Sequence, residues 1–234
     1  MTELGRVVAL WRYPVKSMAG EELDSIEVSW HGFAGDRRWA FVQAGLERSD
    51  FPWLTIRERS DMWRYQPAFV DPDSPDKSRT VVRTPGGREL DVVDPALAAE
   101  LGDSARVIKQ NRGVFDTSPL SLTTTQSVAA VGALVDSDLD PRRFRPNILV
   151  EAAGDAAYAE DGWIGSVLEI GSARIRVDRR DERCVMVNVD PATTERNAAV
   201  LKAIARERDA CLGVYASTVA PGRIRVGDAL LLGL

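Results

Sequence analysis

The chain has 234 residues, of which 44% are hydrophobic and 28% are charged, and its formal net charge at pH 7 is −5. Such a length suits one large domain or two small ones, and the composition excludes the disordered and membrane classes. The negative charge gives no electrostatic reason to expect nucleic acid as a partner. No apolar run reaches the length of a membrane-spanning helix, so no membrane partner is expected, and the short N-terminal apolar run does not fit a signal peptide.

The first half of the chain is predicted to form mainly short strands. The predicted strands cover residues 4–11, 23–30, 39–43, 63–70, 79–84, 89–93 and 107–109. Residues 45–62 show no sustained period and predict a long loop, a kind of segment that is often functional. Asp94 followed by Pro95 favours the start of a short helix, because the carboxylate accepts from the free N–H groups of the first turn.

The second half mixes further strands with two helices. Thr123 and Gln126 have the spacing of a capping box and predict a helix directly after them. Another helix is predicted after Asp190-Pro191, where Val200, Leu201 and Ile204 recur at helical spacing. Strands are predicted at residues 148–150, 167–170, 173–177, 213–218 and 224–232, and around Cys184. The predicted fold is therefore α+β, predominantly β and barrel-like, with no flexible linker near residues 95–110.

Cys184 lies in the stretch Asp-Glu-Arg-Cys-Val-Met-Val-Asn, directly after Arg183 and shortly after Arg179 and Arg180. Guanidinium groups beside a thiol favour the thiolate, the form that ligates soft metals and attacks electrophiles. The alternative is a small buried hydrophobic residue on a strand, since free cysteines are among the most buried residues.

Several common chemistries are excluded by what the sequence lacks. Cys184 and Cys211 are its two cysteines and show no CxxC or zinc spacing, which fits a reducing, cytoplasmic location. His31 is the single histidine, so His-rich metal sites are excluded. The sequence contains no Walker motif, no GxGxxG and no four-cysteine iron–sulfur spacing.

Three turns carry basic and polar side chains, and the first and the third are candidate anion sites. The first, residues 15–20, carries Lys16 and Ser17, and the second ends in Arg37 and Arg38. The third, residues 142–147, holds three arginines and an asparagine. Forked guanidinium donors and backbone N–H groups suit phosphates and carboxylates. The alternative for each is a solvated turn.

Six motifs occur in a fixed order along nearly the whole chain. They are Tyr-Pro-Val-Lys-Ser (13–17), Gly-Asp-Arg (35–37), Thr-Ser-Pro (117–119), Phe-Arg-Pro-Asn (144–147), Arg-Cys (183–184) with Val-Asp-Pro (189–191), and Pro-Gly-x-Ile-x-Val-Gly-Asp (221–228). This set resembles the MOSC family (molybdenum cofactor sulfurase C-terminal domain), and most closely the branch of the mitochondrial amidoxime-reducing components and their bacterial relatives. The resemblance implies a MOSC β-barrel with a few helices over residues 96–234, packed with an N-terminal MOSC-associated β domain over residues 1–95.

The resemblance further implies a molybdenum cofactor (Mo-molybdopterin), whose dithiolene holds the metal while a protein cysteine supplies another ligand. Cys184 stands at that position and is the implied catalytic residue and molybdenum ligand, a role that suits a soft thiolate. Arg183 and Tyr215 match positions close to the metal. The other implied cofactor-binding residues are Lys16, Ser17, Arg37, Thr117, Ser118, Arg145 and Asn147. Pyridoxal phosphate binding is a further association of the family as a whole.

The expected activity, again by resemblance, is reduction of small N-hydroxylated (N–O) compounds. No ferredoxin-like extension follows Leu234 and no desulfurase domain precedes Met1, so electrons are expected from a separate ferredoxin or cytochrome b5-like protein and its reductase. Two other hypotheses stay open: a sulfur or cofactor carrier that uses Cys184 without redox turnover, and an anion-binding β protein without catalysis. Cys211 matches no ligand position and is expected to be structural.

Two positions depart from the family's pattern. Met18 follows Ser17 where relatives often carry a cysteine, so no second thiol is expected there. Asp181 and Glu182 precede the Arg-Cys pair and are expected to make the rim of the site more acidic, with an effect on substrate preference.

Overall fold

The computed structural model describes residues 2–102 and 105–233. The strands of this part of the chain are β1 (Glu3–Arg12), β2 (Glu21–Glu22), β3 (Ser25–Ser29), β4 (Gly32–Phe33), β5 (Trp39–Val42), β6 (Gln66–Phe69), β7 (Thr80–Arg83), β8 (Glu89–Asp91), β9 (Arg106–Lys109), β10 (Leu120–Thr124), β11 (Ile148–Ala152), β12 (Val167–Ile170), β13 (Ala173–Glu182), β14 (Cys211–Ala220), β15 (Gly222–Arg225) and β16 (Ala229–Leu232). Its α-helices are α1 (Pro95–Leu101), α2 (Thr125–Leu134) and α3 (Ala198–Arg208), and its 3₁₀ helices are Ser60–Arg64, Pro141–Phe144, Ala159–Trp163 and Val185–Asn188. The prediction of a predominantly β, α+β fold is confirmed.

Seven strands close into a barrel, the largest unit of the fold. Their order around it is β11, β10, β14, β13, β12, β16 and β1, and the pairing of β1 with β11 closes the ring. Alternate apolar side chains fill the interior, as expected when one face of each strand is buried. The buried residues of this core include Val7, Leu10, Leu122, Ile148, Val150, Leu168, Ile175, Val214 and Leu230.

Strand β1 joins the barrel to a second hydrophobic core. Its register with β11 shifts between Val7 and Ala9, which marks a bulge. Val7 belongs to the barrel core, whereas Ala9 and Trp11 belong to the second core. That core also contains Tyr13, Phe41, Ile56, Met62, Trp63, Tyr65, Val82 and Leu97. The turn that follows β1 is therefore placed where the two cores meet.

The second core is covered by small sheets. Strands β5 and β9 form one antiparallel pair, and β6, β7 and β8 form a three-stranded antiparallel sheet. Strands β15, β3 and β4 form another sheet, which packs on the barrel core through Ile26, Val28, Phe33 and Ile224 and ties the C-terminal part of the chain to its beginning. The segment predicted as one strand at residues 224–232 is two strands, β15 and β16, because the chain turns through Gly227 at a φ of 89°.

The predicted helices are present, but two of their starts are corrected. α1 begins as expected, with Asp94 accepting a hydrogen bond from the Ala96 N–H. Helix α2 is capped by Thr124 rather than Thr123, since the Thr124 side chain accepts from the Ser127 N–H. Buried Glu160 explains the choice, because its carboxylate accepts from both the Thr124 and Ser127 hydroxyls at 2.8 Å.

Helix α3 begins later than the Asp190-Pro191 pair suggests. Asp190 instead closes a turn, its carboxylate accepting from the Ala192 and Thr193 N–H groups at 2.9 Å. Asn197 caps the helix by accepting from the Ala199 N–H at 3.0 Å. An Asx turn competes with helix formation for the same backbone donors, which accounts for the seven-residue difference in start.

The division of the chain into residues 1–95 and 96–234 stays a prediction. Strand β1 lies in the barrel, while the small sheets take residues from between β1 and β10 and from β15. Across residues 2–102 and 105–233, no helix combines the length and the apolar character needed to cross a membrane.

Candidate functional site

A cavity of ≈ 260 Å³ lies at the junction of the two cores. All ten residues predicted for the site line it: Lys16, Ser17, Arg37, Thr117, Ser118, Arg145, Asn147, Arg183, Cys184 and Tyr215. The structure thus brings together residues from both halves of the chain. Their roles toward a cofactor stay a prediction.

The turn after β1 contributes Lys16 and Ser17, both buried. The Lys16 ammonium donates to the Val114 carbonyl at 3.2 Å and forms an ion pair with Asp116. Burial lowers the pKa of Lys16, and the Asp116 charge offsets only part of this effect. Ser17 adopts a φ of 68°, a left-handed backbone that a non-glycine residue holds at a cost of about 1 kcal/mol or more.

Arg37 is held by a buried carboxylate. Asp36 is fully buried and accepts from the Tyr13 N–H at 2.7 Å and from the Asn147 amide at 3.1 Å, and it pairs with the Arg37 guanidinium. Burial alone would lower the pKa of Arg37, but Asp36, Tyr13 and Asp116 together outweigh it and the pKa is raised. Arg37 also has a positive φ, 48°, so its backbone is constrained as well.

The Asn147 side chain is engaged on both of its polar atoms. Its amide donates to the Trp11 carbonyl at 3.2 Å as well as to Asp36, and its carbonyl accepts from the Ser121 N–H at 3.2 Å. These contacts tie β1 to β10 at the back of the cavity. Asn147 therefore helps to fix Asp36, and through it Arg37.

Arg145 is a buried cation of the cavity with an unused donor. It takes the C-cap position of helix Pro141–Phe144 with a φ of 52°, and its guanidinium lies 4.1 Å from the Tyr13 ring and 4.8 Å from the Trp63 ring. Nη1 donates to the Met18 carbonyl at 2.8 Å, whereas Nη2 is buried without a hydrogen-bond partner. Burial lowers the pKa of Arg145 to about 10.

The cysteine stands at the end of β13, directly before a 3₁₀ helix. The predicted strand through Cys184 is wrong: β13 ends at Glu182, and Val185–Asn188 forms the 3₁₀ helix with Cys184 as its N-cap. Its thiol is half-buried at the cavity wall, and the exposed side chain beside it is Val185. The interpretation of Cys184 as a buried strand residue therefore does not hold.

Two arginines anchor the segment that carries the cysteine. Arg183 donates from Nη1 to the Phe144 carbonyl and from Nε to the Leu212 carbonyl, both at 2.7 Å. Arg143 donates to the Val187 carbonyl at 3.2 Å and pairs with Asp190 at 2.7 Å. Because each arginine bridges two elements, the position of Cys184 is fixed from both sides.

Asp181 lies inside the cavity wall rather than on its rim, so the expected acidic rim is corrected for this residue. It is 1% exposed, accepts from the Ser121 hydroxyl at 2.7 Å and pairs with Arg183 at 2.8 Å. Burial raises the pKa of Asp181, and Arg183 opposes that rise. Burial and then the Asp181 charge raise the pKa of Tyr215, so its hydroxyl stays protonated at neutral pH. Glu182 is exposed, as expected.

Several cavity residues were not predicted for the site, and most of them lie outside the six motifs. Arg57 lies in the long loop predicted at residues 45–62, where functional loops were expected but no side chain stood out. Asp116 precedes the Thr117-Ser118 pair, and the charges of Lys16 and Arg57 lower its pKa against the effect of burial. The other missed lining residues are Phe115, Ser121, Arg143, Phe144, Met186 and Val187.

The charge of the cavity is opposite to that of the whole protein. Six cationic side chains line it against three acidic ones, an excess of three positive charges on a chain of net charge −5. Arg37 and Arg145 lie close together, since Arg37 donates to the Arg145 carbonyl at 3.3 Å. Arg37 and Arg145 are thus neighbouring buried charges of like sign, and Arg145 Nη2 and Arg143 Nε are buried N–H donors without a hydrogen-bond partner, an arrangement that a bound anion would stabilise.

The donor set fits the implied molybdenum cofactor. Such a group needs guanidinium, ammonium and hydroxyl donors for its phosphate and pterin edges, and one soft ligand for the metal. The cavity offers Lys16, Arg37 and Arg145 together with the Ser17, Thr117 and Ser118 hydroxyls, and Cys184 supplies the thiol. No cluster of three or more histidine, cysteine and acidic side chains that could hold a metal ion occurs within the described ranges.

Cys211 is separate from the cavity. It begins β14, opposite Glu182 on β13, and its thiol lies 3.5 Å from the Asp209 carbonyl.

Cys211→Ser is therefore expected to leave the molybdenum content of the purified protein unchanged. Metal analysis of both variants checks this, and a fall to the level of a Cys184 variant would refute the assignment of Cys184 as the ligand.

Comparison with known families agrees with the geometry. The model of the MOSC domain matches residues 109–231, more than half of the chain, and that of the MOSC N-terminal beta barrel domain matches residues 4–118. The chain belongs to the MOSC family. The two matched ranges overlap at residues 109–118, which include the Thr117-Ser118 pair and end just before strand β10.

Curated relatives of this MOSC protein include human mitochondrial amidoxime-reducing component 1, which is 24% identical over 99% of this chain and 84% of its own length. Mitochondrial amidoxime reducing component 2 of Macaca fascicularis is 30% identical over 48% of this chain and 36% of its own length. Among solved structures, the YUAD protein from Bacillus subtilis superposes with a TM-score of 0.54 at 13% identity, covering 97% of this chain and 93% of that one. This structural likeness supports the fold alone.

Proposed function

We propose that this MOSC protein is a molybdenum-cofactor oxidoreductase that reduces small N-hydroxylated compounds with electrons from a separate redox protein. The observation that carries the proposal is the positively charged cavity with an orphaned Arg145 N–H at one side and the Cys184 thiol at another. The names of the curated relatives, amidoxime-reducing components, give the reaction class. The similarity to the human component 1 spans 99% of the chain.

In this proposal, different cavity residues bind different parts of the cofactor. Lys16, Arg37 and Arg145 would hold its phosphate, and the Ser17, Thr117 and Ser118 hydroxyls would bind its polar edges. Cys184 would ligate the metal as a thiolate, with Arg183 and Tyr215 beside it. Asn147 acts mainly by fixing Asp36 and Arg37, because its own amide atoms are already engaged.

When bound, the cofactor would supply a two-electron redox centre for the reduction of an N–O group. The overall reaction consumes two electrons and two protons and releases the reduced nitrogen compound and water. The chain contributes a half-buried site, a fixed cysteine and a protonated Tyr215 hydroxyl that can donate a hydrogen bond. A ferredoxin or a cytochrome b5-like protein with its reductase would deliver the electrons.

The proposal is tested by purifying the protein from a host that makes the cofactor and measuring molybdenum and pterin per chain. Benzamidoxime reduction is then assayed with a chemical electron donor. We expect about one molybdenum and one pterin per chain and measurable reduction. A fully loaded protein that is inactive toward several N–O substrates would refute the reductase and favour the carrier role of Cys184.

A further inference from the structure

Arg57 reaches the cavity from a segment whose backbone is held on several sides. The Thr55 hydroxyl donates to the Glu58 carboxylate at 2.7 Å and accepts from the Arg57 N–H at 3.2 Å. Arg196 donates to the Ile56 and Arg57 carbonyls at 3.1 and 3.0 Å. Because Arg196 follows the Cys184 segment in the chain, the backbone of Arg57 is fixed relative to the second half of the protein.

The Arg57 guanidinium is oriented by one carboxylate and one aromatic ring. Nη2 donates to Asp116 at 2.9 Å, and the guanidinium lies 4.7 Å from the Phe51 ring. Asp116 is itself held by Lys16. A long arginine side chain is thereby kept in one position although a quarter of it is exposed.

The same Nη2 atom lies 3.4 Å from the Cys184 sulfur, within hydrogen-bond distance of it. Hydrogen bonds and positive charge at a metal-bound sulfur raise the reduction potential of a metal centre. Arg57 could serve only as the ion-pair partner of Asp116, or it could also act on the Cys184 sulfur. The two explanations differ in whether the sulfur experiences the charge of Arg57.

We propose that Arg57 is a positioning residue for Cys184: its guanidinium donates an N–H···S hydrogen bond and stabilises negative charge on that sulfur, both in the free thiolate and in the metal-bound state. Asp116 sets the orientation of Arg57, and Phe51 packs on its guanidinium. The part of this inference that concerns the metal rests on the proposed function, whereas the part that concerns the thiol does not.

The charge at the sulfur is measured by alkylating the full-length, cofactor-free protein with iodoacetate, which is anionic, and with iodoacetamide, which is neutral. Cys211→Ser serves as the background, so that one thiol remains. Both reagents attack the same thiolate, and the ratio of their rates therefore reports the local charge. We expect Arg57→Gln to lower the iodoacetate-to-iodoacetamide ratio by about fivefold, the effect of two unit charges about 4 Å apart in largely aqueous surroundings.

Three controls separate this effect from others. Arg48→Gln removes an exposed charge of the same loop and is expected to leave the ratio unchanged. Arg57→Lys keeps the charge and is expected to retain most of the ratio. In an Asp116→Asn background the effect of Arg57→Gln is expected to persist, which excludes the exposure of the Asp116 charge as its cause.

An unchanged ratio in Arg57→Gln, or an equal fall in Arg48→Gln, would overturn the proposal. If Arg57→Gln does not fold, as judged by circular dichroism, Arg57→Met replaces it, because it keeps an unbranched stem near Phe51 without the charge.

In molybdenum-loaded protein, a redox titration followed by electron paramagnetic resonance is expected to show a lower midpoint potential in Arg57→Gln. An unchanged potential would overturn the part of the proposal that concerns the metal. If the wild type binds no molybdenum, the proposed function fails and the alkylation ratio alone decides the role of Arg57.

Discussion

Cys184→Ser is expected to abolish N-hydroxy reduction while much of the pterin stays bound. Serine replaces a soft thiolate by a hard, weakly acidic hydroxyl, so the metal loses its protein ligand. Loss of residues that only support a metal ligand typically costs 10- to 100-fold, and we expect a loss of at least about 100-fold here. Lys16, Arg37 and Arg145 remain, and charge-assisted hydrogen bonds contribute about 1.5–3 kcal/mol each, so they retain the phosphate.

The measurement is benzamidoxime reduction with a chemical electron donor, together with pterin and molybdenum content per chain. Cys211→Ser is the matched control, because it makes the same chemical change outside the cavity and is expected to keep both content and activity. A Cys184→Ser protein with wild-type activity would refute the role of the thiolate. Wild-type protein that carries labelled sulfur on Cys184 but reduces nothing would favour a sulfur carrier.

Local patterns in the sequence were enough to predict most of the fold. Short apolar, β-favouring segments predicted six of the seven barrel strands, and β10 was missed. For the run Val185-Met186-Val187, the strand prediction is wrong. Its β-favouring residues form a 3₁₀ helix, since Arg143 and Arg183 anchor the flanking backbone to neighbouring elements and tertiary contacts override local propensity.

The site was predicted only as far as its motifs extended. Lys16, Arg37 and Arg145 stand in short motifs, and all three line the cavity. Arg57 stands in no motif, and its meeting with Cys184 depends on how the second core packs against the barrel, a contact between residues 127 positions apart. Such long-range juxtapositions leave no local pattern, so the structure was needed to find them.

Arg145→Gln is expected to remove most of the pterin while leaving the folded, cofactor-free protein about as stable as before. Burial lowers the pKa of Arg145 to about 10, which means that the cation is disfavoured in the cofactor-free cavity. A neutral side chain removes that cost but also loses the bond to the Met18 carbonyl and the contacts with Tyr13 and Trp63. These effects oppose each other, and we expect the free energy of unfolding to change by less than about 1 kcal/mol.

The effect on cofactor binding has no such compensation. The orphaned Nη2 of Arg145 and its positive charge are available to an anion, and each charge-assisted hydrogen bond lost lowers affinity by about 10- to 150-fold. Arg145→Lys keeps the charge without the fork and is expected to bind with intermediate affinity. Arg142→Gln is the matched control, because Arg142 lies in the 3₁₀ helix that Arg145 caps. The Arg142 side chain is 48% exposed, pairs with Asp140 and does not line the cavity. Pterin content and urea-induced unfolding of the three variants check the prediction. Wild-type pterin content in Arg145→Gln would contradict a role in binding. A loss of pterin together with a large loss of stability would show that Arg145 acts in folding, because only a ligand contact lowers binding while sparing the cofactor-free fold.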